Sequence, residues 1–216
     1  MARRTLPIAA ALTATATLLL TACGGGDDSP DDIKGAGKES SSPSASASAT
    51  TSGDSPDLSL PKDFKLVFDF DKPSDTKHAA ALADAQNYTR AMYHGIVAQD
   101  PDDPAYHYYS DAQAAEYAKS QIQASVKGGY TITGTDKYYD SETTTLSGGK
   151  RVLVTFCENQ AKAYSKEIKT GKVLRGEENL DSYLKHRLLM VPSSDSPQIW
   201  KVQVIEVVGK AKECQA

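Results

Sequence analysis

The 216-residue chain is poor in the residues that build most metal centres and catalytic triads. It has four histidines, three cysteines and one tryptophan, and His78, His94 and His107 form no ligand cluster in the sequence. It also lacks the G-x-S-x-G elbow, the Walker phosphate loop, the dinucleotide glycine fingerprint and the HExxH pair. These absences disfavour a metal enzyme and a Ser/His/Asp hydrolase, and we expect no metal and no cofactor.

An excess of positive charge is missing as well. The formal net charge is −4, so the composition does not favour nucleic acid as a partner, since binding there depends on neutralising phosphates. A mean hydropathy of −0.45 excludes a protein with many membrane spans.

The first 22 residues have the pattern of an export signal. Arg3 and Arg4 precede an apolar run over 6–20, which is followed by the sequence Leu20-Thr21-Ala22-Cys23. Small residues before a cysteine are typical of the lipobox of bacterial lipoproteins, with Cys23 as the lipid-modified residue and new N-terminus. The segment therefore predicts a lipid-anchored protein on the outer face of the cell membrane, with either the general secretory or the twin-arginine route open.

The rest of the chain divides into a spacer and a domain. Residues 23–57 begin with the lipidated cysteine and are otherwise mainly Ser, Gly, Ala and Asp, a composition that predicts disorder because too little apolar surface is available for burial. Residues 58–216 are long enough for a single domain with its own core.

The apolar periodicity of 58–216 indicates a mixed fold. Residues 64–71 alternate as in a strand, 75–99 follow a helical period, and Ser110 with Gln113 resembles a capping box that opens a second helix over 111–127. Strand patterns then begin at positions 130, 152, 161, 184 and 200. This order predicts an α+β fold, with helices packed on one face of a curved, mainly antiparallel, cone-like sheet.

The order of elements resembles the nuclear transport factor 2-like (SnoaL-like) cone fold. The whole chain is similar to envelope lipoproteins of uncharacterised function from high-GC actinobacteria. That similarity lies in the Cys23 motif, the Ser/Ala spacer, the segment 130–135, Cys157 and the strand at Trp200. It implies a domain with an internal pocket and no particular activity, because this fold carries enzymes and binding modules alike.

Two cysteines remain once Cys23 carries lipid. Cys157 and Cys214 would share an oxidising compartment, which predicts a disulfide that closes a 57-residue loop. The alternative is a reactive or metal-binding thiol, but neither cysteine has a second ligand at a suitable spacing.

Two polar segments between the predicted helices are weaker candidates. Tyr108 and Tyr109 belong to a dense tyrosine group that suits either core packing or a binding surface. Asp100, Asp102 and Asp103 only loosely resemble a calcium loop, because the segment lacks the central glycine and has two prolines, so a connecting loop is favoured.

The last hairpin contains the sharpest candidate for chemistry. If Met190 pairs with Trp200, His186 and Glu206 become diagonal neighbours on the apolar face, with their backbones about 7–8 Å apart. A carboxylate beside an imidazole would poise the histidine for proton transfer. The alternatives are a buried contact without function, or a one-residue bulge that turns either side chain outward.

These features favour a lipid-anchored extracytoplasmic module that binds a small ligand or another envelope protein without catalysing turnover. Two alternatives stay open, a small cone-fold enzyme with acid/base residues in an internal pocket and a structural helper in the envelope. An enclosed pocket with converging polar groups would favour the enzyme, and a filled core with an exposed apolar patch would favour the helper.

Overall fold

A computed structural model describes residues 55–215 of the chain. The predicted signal peptide 1–22, Cys23 and the spacer as far as residue 54 lie outside these residues.

The described residues form six strands, three α-helices and two short 3₁₀ turns. The helices are α1 (Thr76–Ala98), α2 (Pro104–Tyr109) and α3 (Ala112–Gly128). The strands are β1 (Phe64–Asp69), β2 (Tyr130–Thr145), β3 (Val152–Glu167), β4 (Val173–Leu174), β5 (Tyr183–Pro192) and β6 (Trp200–Gly209). The 3₁₀ turns are Leu180–Ser182 and Lys212–Cys214.

All strands belong to one sheet in the order β1-β2-β3-β5-β6, and β4 extends it beside the end of β3. Only the β1–β2 pair is parallel, and the other pairs of this sheet are antiparallel. Two bulges interrupt the β2–β3 ladder: Gln160 and Ala161 of β3 lie opposite Asp136, and Asp140 and Ser141 of β2 lie opposite Phe156. Another lies in the β5–β6 ladder at Leu189. Because bulges bend strands and increase their twist, they curve the sheet around the helices.

The core lies between the helices and one face of the sheet. Leu82 and Tyr88 of α1 and Ile122 of α3 are buried against inward side chains of the central strands. On β3 these are Val152, Val154 and Phe156, at every second position, as expected for one face of a strand. The predicted α+β class, with helices on one face of a curved and mainly antiparallel sheet, is confirmed.

The central hairpin is longer than the sequence pattern predicts. The strands expected to begin at 152 and 161 are one strand, β3, and β2 continues through Gly134 to Thr145. The bulges explain the error, because each one breaks the alternation of apolar residues on which the prediction depends.

The predicted capping box at the start of the second helix is wrong. Ser110 donates its hydroxyl to the Tyr106 carbonyl at 2.6 Å, and the Gln113 side chain accepts from the Ile205 backbone N–H at 2.8 Å. The residues that would cap α3 instead pack along the edge of β6, where the Asp111 N–H also donates to the Val202 carbonyl at 3.0 Å.

Candidate functional site

Three ionisable side chains occupy inward positions in the centre of the sheet. Asp136 of β2, Glu158 of β3 and His186 of β5 are each at most 9% exposed. Glu158 follows Val152, Val154 and Phe156 on the same face of its strand, and His186 precedes Leu188 and Met190 on its own. The strand periodicity that buries the apolar core therefore buries these polar groups beside it.

Two tyrosine hydroxyls converge on the Asp136 carboxyl. Tyr93 of α1 donates to Oδ2 at 2.7 Å, and Tyr138 of β2 donates to the same oxygen at 2.8 Å. The other oxygen, Oδ1, is buried and receives no hydrogen bond from the described residues. Burying an acceptor without a hydrogen bond lowers the stability of the fold, and such atoms are rare in proteins.

Glu158 contacts His186 on the neighbouring strand. Glu158 lies opposite Leu184 in the ladder, so His186 is its diagonal neighbour, and its Nε2 meets Glu158 Oε2 directly. The Phe156 ring stacks on the imidazole, with centroids 5.0 Å apart and planes 20° apart. Packing and a hydrogen bond together fix the histidine ring in the wall of the site.

Burial controls the charges of this cluster. It raises the pKa of Glu158 to about 7, and it raises the pKa of Asp136 well above its usual range. The negative charge of Glu158 raises the pKa of Asp136 further. Burial lowers the pKa of His186 to about 4, so its imidazole is neutral at pH 7.

A cavity of about 140 Å³ opens onto Glu158 and His186. Its apolar wall is built by α1, α3 and the last two strands, through Met92, Ile96, Tyr117, Leu184, Ile205 and Val207. Gln121 and Gln160 are exposed and mark its mouth. An apolar cavity of about 150 Å³ holds a benzene ring, so this one is large enough for a small single-ring molecule.

A larger groove, of about 670 Å³, lies beside Cys157 and is lined largely by charged side chains such as Asp69, Asp140 and Glu142. It is open to solvent, whereas the smaller cavity is lined by Glu158 and His186, whose pKa values burial shifts strongly. We therefore place the candidate site in the smaller cavity.

The predicted contact between His186 and Glu206 is wrong. Pro192, not Met190, lies opposite Trp200, and the bulge at Leu189 shifts the remaining ladder by one residue. Glu206 therefore points outward and pairs with Arg187, with Nη1 and Oε2 3.2 Å apart. His186 does face the interior, but its partner is Glu158.

Cys157 and Cys214 are joined by a disulfide, as the sequence predicts. Cys157 points to the face of β3 opposite Phe156 and Glu158, and the bond fixes the last 3₁₀ turn to the back of the sheet. The Tyr139 hydroxyl donates to the Cys214 carbonyl at the same place. The disulfide is thus separated from the cavity by the sheet itself.

Tyr108 and Tyr109 take part in packing. Tyr109 is 4% exposed within the core, and Tyr108 is half-buried with its ring edge against it, 4.9 Å between centroids. A binding role for this pair stays a prediction.

The aspartates of the loop between α1 and α2 form contacts with other residues of the protein. Asp102 pairs with Lys119 at 2.7 Å, and Asp103 caps α2 and contacts His94 at 2.7 Å. Within residues 55–215, no group of three or more His, Cys, Asp or Glu side chains is arranged to hold a metal ion.

Four residues of the site were not predicted from the sequence: Asp136, Glu158, Tyr93 and Tyr138. A usable signal was present for Glu158, because continuing the alternation of Val152, Val154 and Phe156 by one step places a carboxylate on the buried face. Asp136 shares its strand face with Ile132 and Tyr138, but Gly134 between them weakens the apolar alternation.

Comparison with known proteins gives two distant structural likenesses. The intermembrane-space region of the chloroplast protein ARC6 is 14% identical, with a TM-score of 0.38 over 60% of this chain and 96% of that one. A candidate ketosteroid isomerase from Shewanella frigidimarina is also 14% identical, with a TM-score of 0.31 over 60% of this chain and 94% of that one. No family model and no curated protein matches the sequence. At these TM-scores neither likeness bears on function.

None of the helices within residues 55–215 has both the length and the apolarity that crossing a membrane requires. The predicted lipid attachment at Cys23 falls outside these residues.

Proposed function

We propose that this protein is a binding module that takes a small ligand into the cavity between its helices and its sheet. The observation that supports the proposal is the Glu158–His186 pair in the wall of an otherwise mainly apolar cavity. Ligand sites commonly combine apolar walls with a few polar groups that fix orientation. A domain that only held its neighbours together would not need such a cavity.

Two adjacent valines on β6 allow a matched test. Val207 lines the cavity, whereas Val208 is 39% exposed and absent from its lining. We expect at least one of three single-ring probes, benzylamine, benzyl alcohol and benzoate, to bind the full chain and shift the NMR signals of the lining residues. Val207→Phe should weaken that binding by at least about tenfold, while Val208→Phe should leave it unchanged. Equal effects of the two substitutions, or no binding by any probe, would contradict the proposal.

The module is further proposed to be tethered by lipid on Cys23 to the outer face of the cell membrane. This part is supported by the Leu20–Cys23 motif, the preceding apolar run and the polar spacer. The Cys23→Ser variant should leave the membrane fraction or remain unprocessed, whereas Ser44→Ala in the spacer should behave as the unmodified chain. Detergent-phase partitioning of both variants measures the difference, and unchanged partitioning of Cys23→Ser would refute the anchor.

A second candidate function is acid–base catalysis in the same cavity. It is supported by burial of Glu158, which raises the pKa of that carboxyl to about 7, where a group serves well as a general base at neutral pH. The Glu158 carboxylate would take a proton from a carbon next to a carbonyl, and exchange with solvent would return a different one.

Cyclopentanone in deuterated buffer tests this second candidate. If it holds, the protein should speed deuterium uptake next to the carbonyl, as followed by NMR. Glu158→Gln should abolish the acceleration, and Glu206→Gln on the exposed face of β6 should not. If cyclopentanone binds but its deuterium uptake is not accelerated, the proposed binding function stands and the catalytic function is refuted.

A further inference from the structure

The cavity wall holds one carboxyl group, that of Glu158, and no cation to balance it. The ionisable side chains that line the cavity are Tyr88 and Tyr93 from α1, Tyr117 from α3, Tyr138 from β2, Glu158 from β3 and His186 from β5. Asp136 of β2 does not line it, but accepts the hydroxyls of Tyr93 and Tyr138. The side chains from β6 are Ile205 and Val207, and no lysine or arginine belongs to the lining. Among the described residues, the carboxyl groups therefore have only a neutral imidazole and tyrosine hydroxyls as partners.

The walls of the cavity favour positive charge. Tyr88, Tyr93, Tyr117, Tyr138 and Phe156 all contribute to the lining. The faces of aromatic rings carry negative partial charge and attract cations, more strongly where water is excluded. The mouth offers only the uncharged amides of Gln121 and Gln160, so nothing there repels a cation.

We propose that the cavity binds a small protonated amine, with its ammonium group at the Glu158 carboxylate and its hydrocarbon part against the aromatic and aliphatic walls. This inference rests on the proposed function, that the cavity holds a small ligand. The volume of about 140 Å³ limits the ligand to the size of a single ring or a short chain. An anion would meet the Glu158 carboxyl group, and a neutral molecule would leave it without a counter-charge.

The amine also accounts for the unusual protonation of the cluster. Without a ligand, burial holds protons on the carboxyl groups, as the raised pKa of Glu158 shows. A cation at Glu158 would favour its charged form, so binding below pH 7 must release a proton. Binding of a neutral ligand gives no such release.

Two isosteric probes distinguish these cases. At pH 7.5 the full chain should bind benzylamine at least about tenfold more tightly than benzyl alcohol, as measured by titration calorimetry, and benzoate least of all. At pH 6, titrations in buffers of different ionisation enthalpy should show proton release with benzylamine and none with benzyl alcohol. The preference for the amine should shrink between pH 7.5 and pH 5, as Glu158 gains its proton.

Glu158→Gln should remove the preference, because it should weaken the binding of benzylamine at least about tenfold and leave the binding of benzyl alcohol unchanged. Glu206→Gln is the matched control on the solvent face. Should Glu158→Gln fail to fold, the pH dependence of the unmodified chain still decides. If benzyl alcohol binds in the cavity as tightly as benzylamine at every pH, the proposed preference for an amine is refuted, and the proposal of a binding module stands. If no probe binds, both proposals fall.

Discussion

Tyr93 of α1 donates its hydroxyl to Asp136 of β2 at 2.7 Å, which joins the helix layer to the sheet by a hydrogen bond. Tyr138 donates to the same carboxylate oxygen at 2.8 Å. Asp136 is fully buried, so these two hydroxyls replace the water that the carboxyl group loses on folding.

The two tyrosines should therefore be coupled. Either Tyr93→Phe or Tyr138→Phe alone should lower the free energy of unfolding by about 1 kcal/mol, because the other hydroxyl still serves Asp136 Oδ2. The double variant should lose clearly more than the sum, since the oxygen then has neither of its donors. Urea denaturation of the three variants measures the coupling, with Tyr108→Phe as the control outside the cluster. Strict additivity would contradict a shared acceptor.

Asp136 should make the free energy of unfolding decrease as the pH rises. Burial raises its pKa in the folded state well above the ordinary value of 3.8, so the unfolded chain releases this proton at lower pH than the folded one. The stability that the protonated group contributes is complete below pH 3.8 and is lost as pH rises above it. Asp136→Asn keeps the shape and the acceptor oxygen but cannot ionise.

The melting temperature of Asp136→Asn, relative to that of the unmodified chain, should therefore increase as the pH is raised from 5. Asp195→Asn in the exposed β5–β6 turn should show no such trend. A flat difference for Asp136→Asn would mean that the carboxyl is ionised throughout this range, contrary to the effect of its burial.

Periodicity was sufficient to predict the class of the fold but not the pairing of its strands. The helix over 75–99 agrees closely with α1, because a long apolar stripe is specified locally. The partner of His186 depends instead on the length of a turn and on the bulge at Leu189, which moves Glu206 to the solvent face. One inserted residue reverses the orientation of every side chain beyond it, and no local pattern signals the insertion.

The disulfide should contribute mainly to stability. Cys157 and Cys214 are separated by 57 residues, and closing a loop of that length stabilises a fold by about 4 kcal/mol in the chain-entropy model. Replacing both by serine should lower the melting temperature by about 10 °C for a domain of this size. Binding of any cavity ligand should persist at temperatures where the variant is folded, because the bond lies on the other face of the sheet. Loss of binding without loss of stability would instead place the disulfide in the site.

Gly134 is the position in β2 where a side chain is least tolerable. Its φ is +99°, and a Cβ added there would lie 2.1 Å from the Lys162 carbonyl oxygen, which is backbone and cannot move aside. The same residue pairs with Phe64 of β1 and with Ala163 of β3, so the close approach occurs where parallel and antiparallel ladders meet. Gly134→Ala should therefore lower the free energy of unfolding by about 3 kcal/mol or more.

Gly148, in the turn between β2 and β3, separates the two causes of this loss. Its φ is +90°, but an added Cβ there would meet no atom within 4 Å, so Gly148→Ala includes the backbone strain without the clash. We expect it to lose only about 1 kcal/mol. Urea denaturation of both variants gives the comparison. If the two losses are equal, backbone conformation alone explains the glycine at 134, and β2 and β3 are further apart there than the structure indicates.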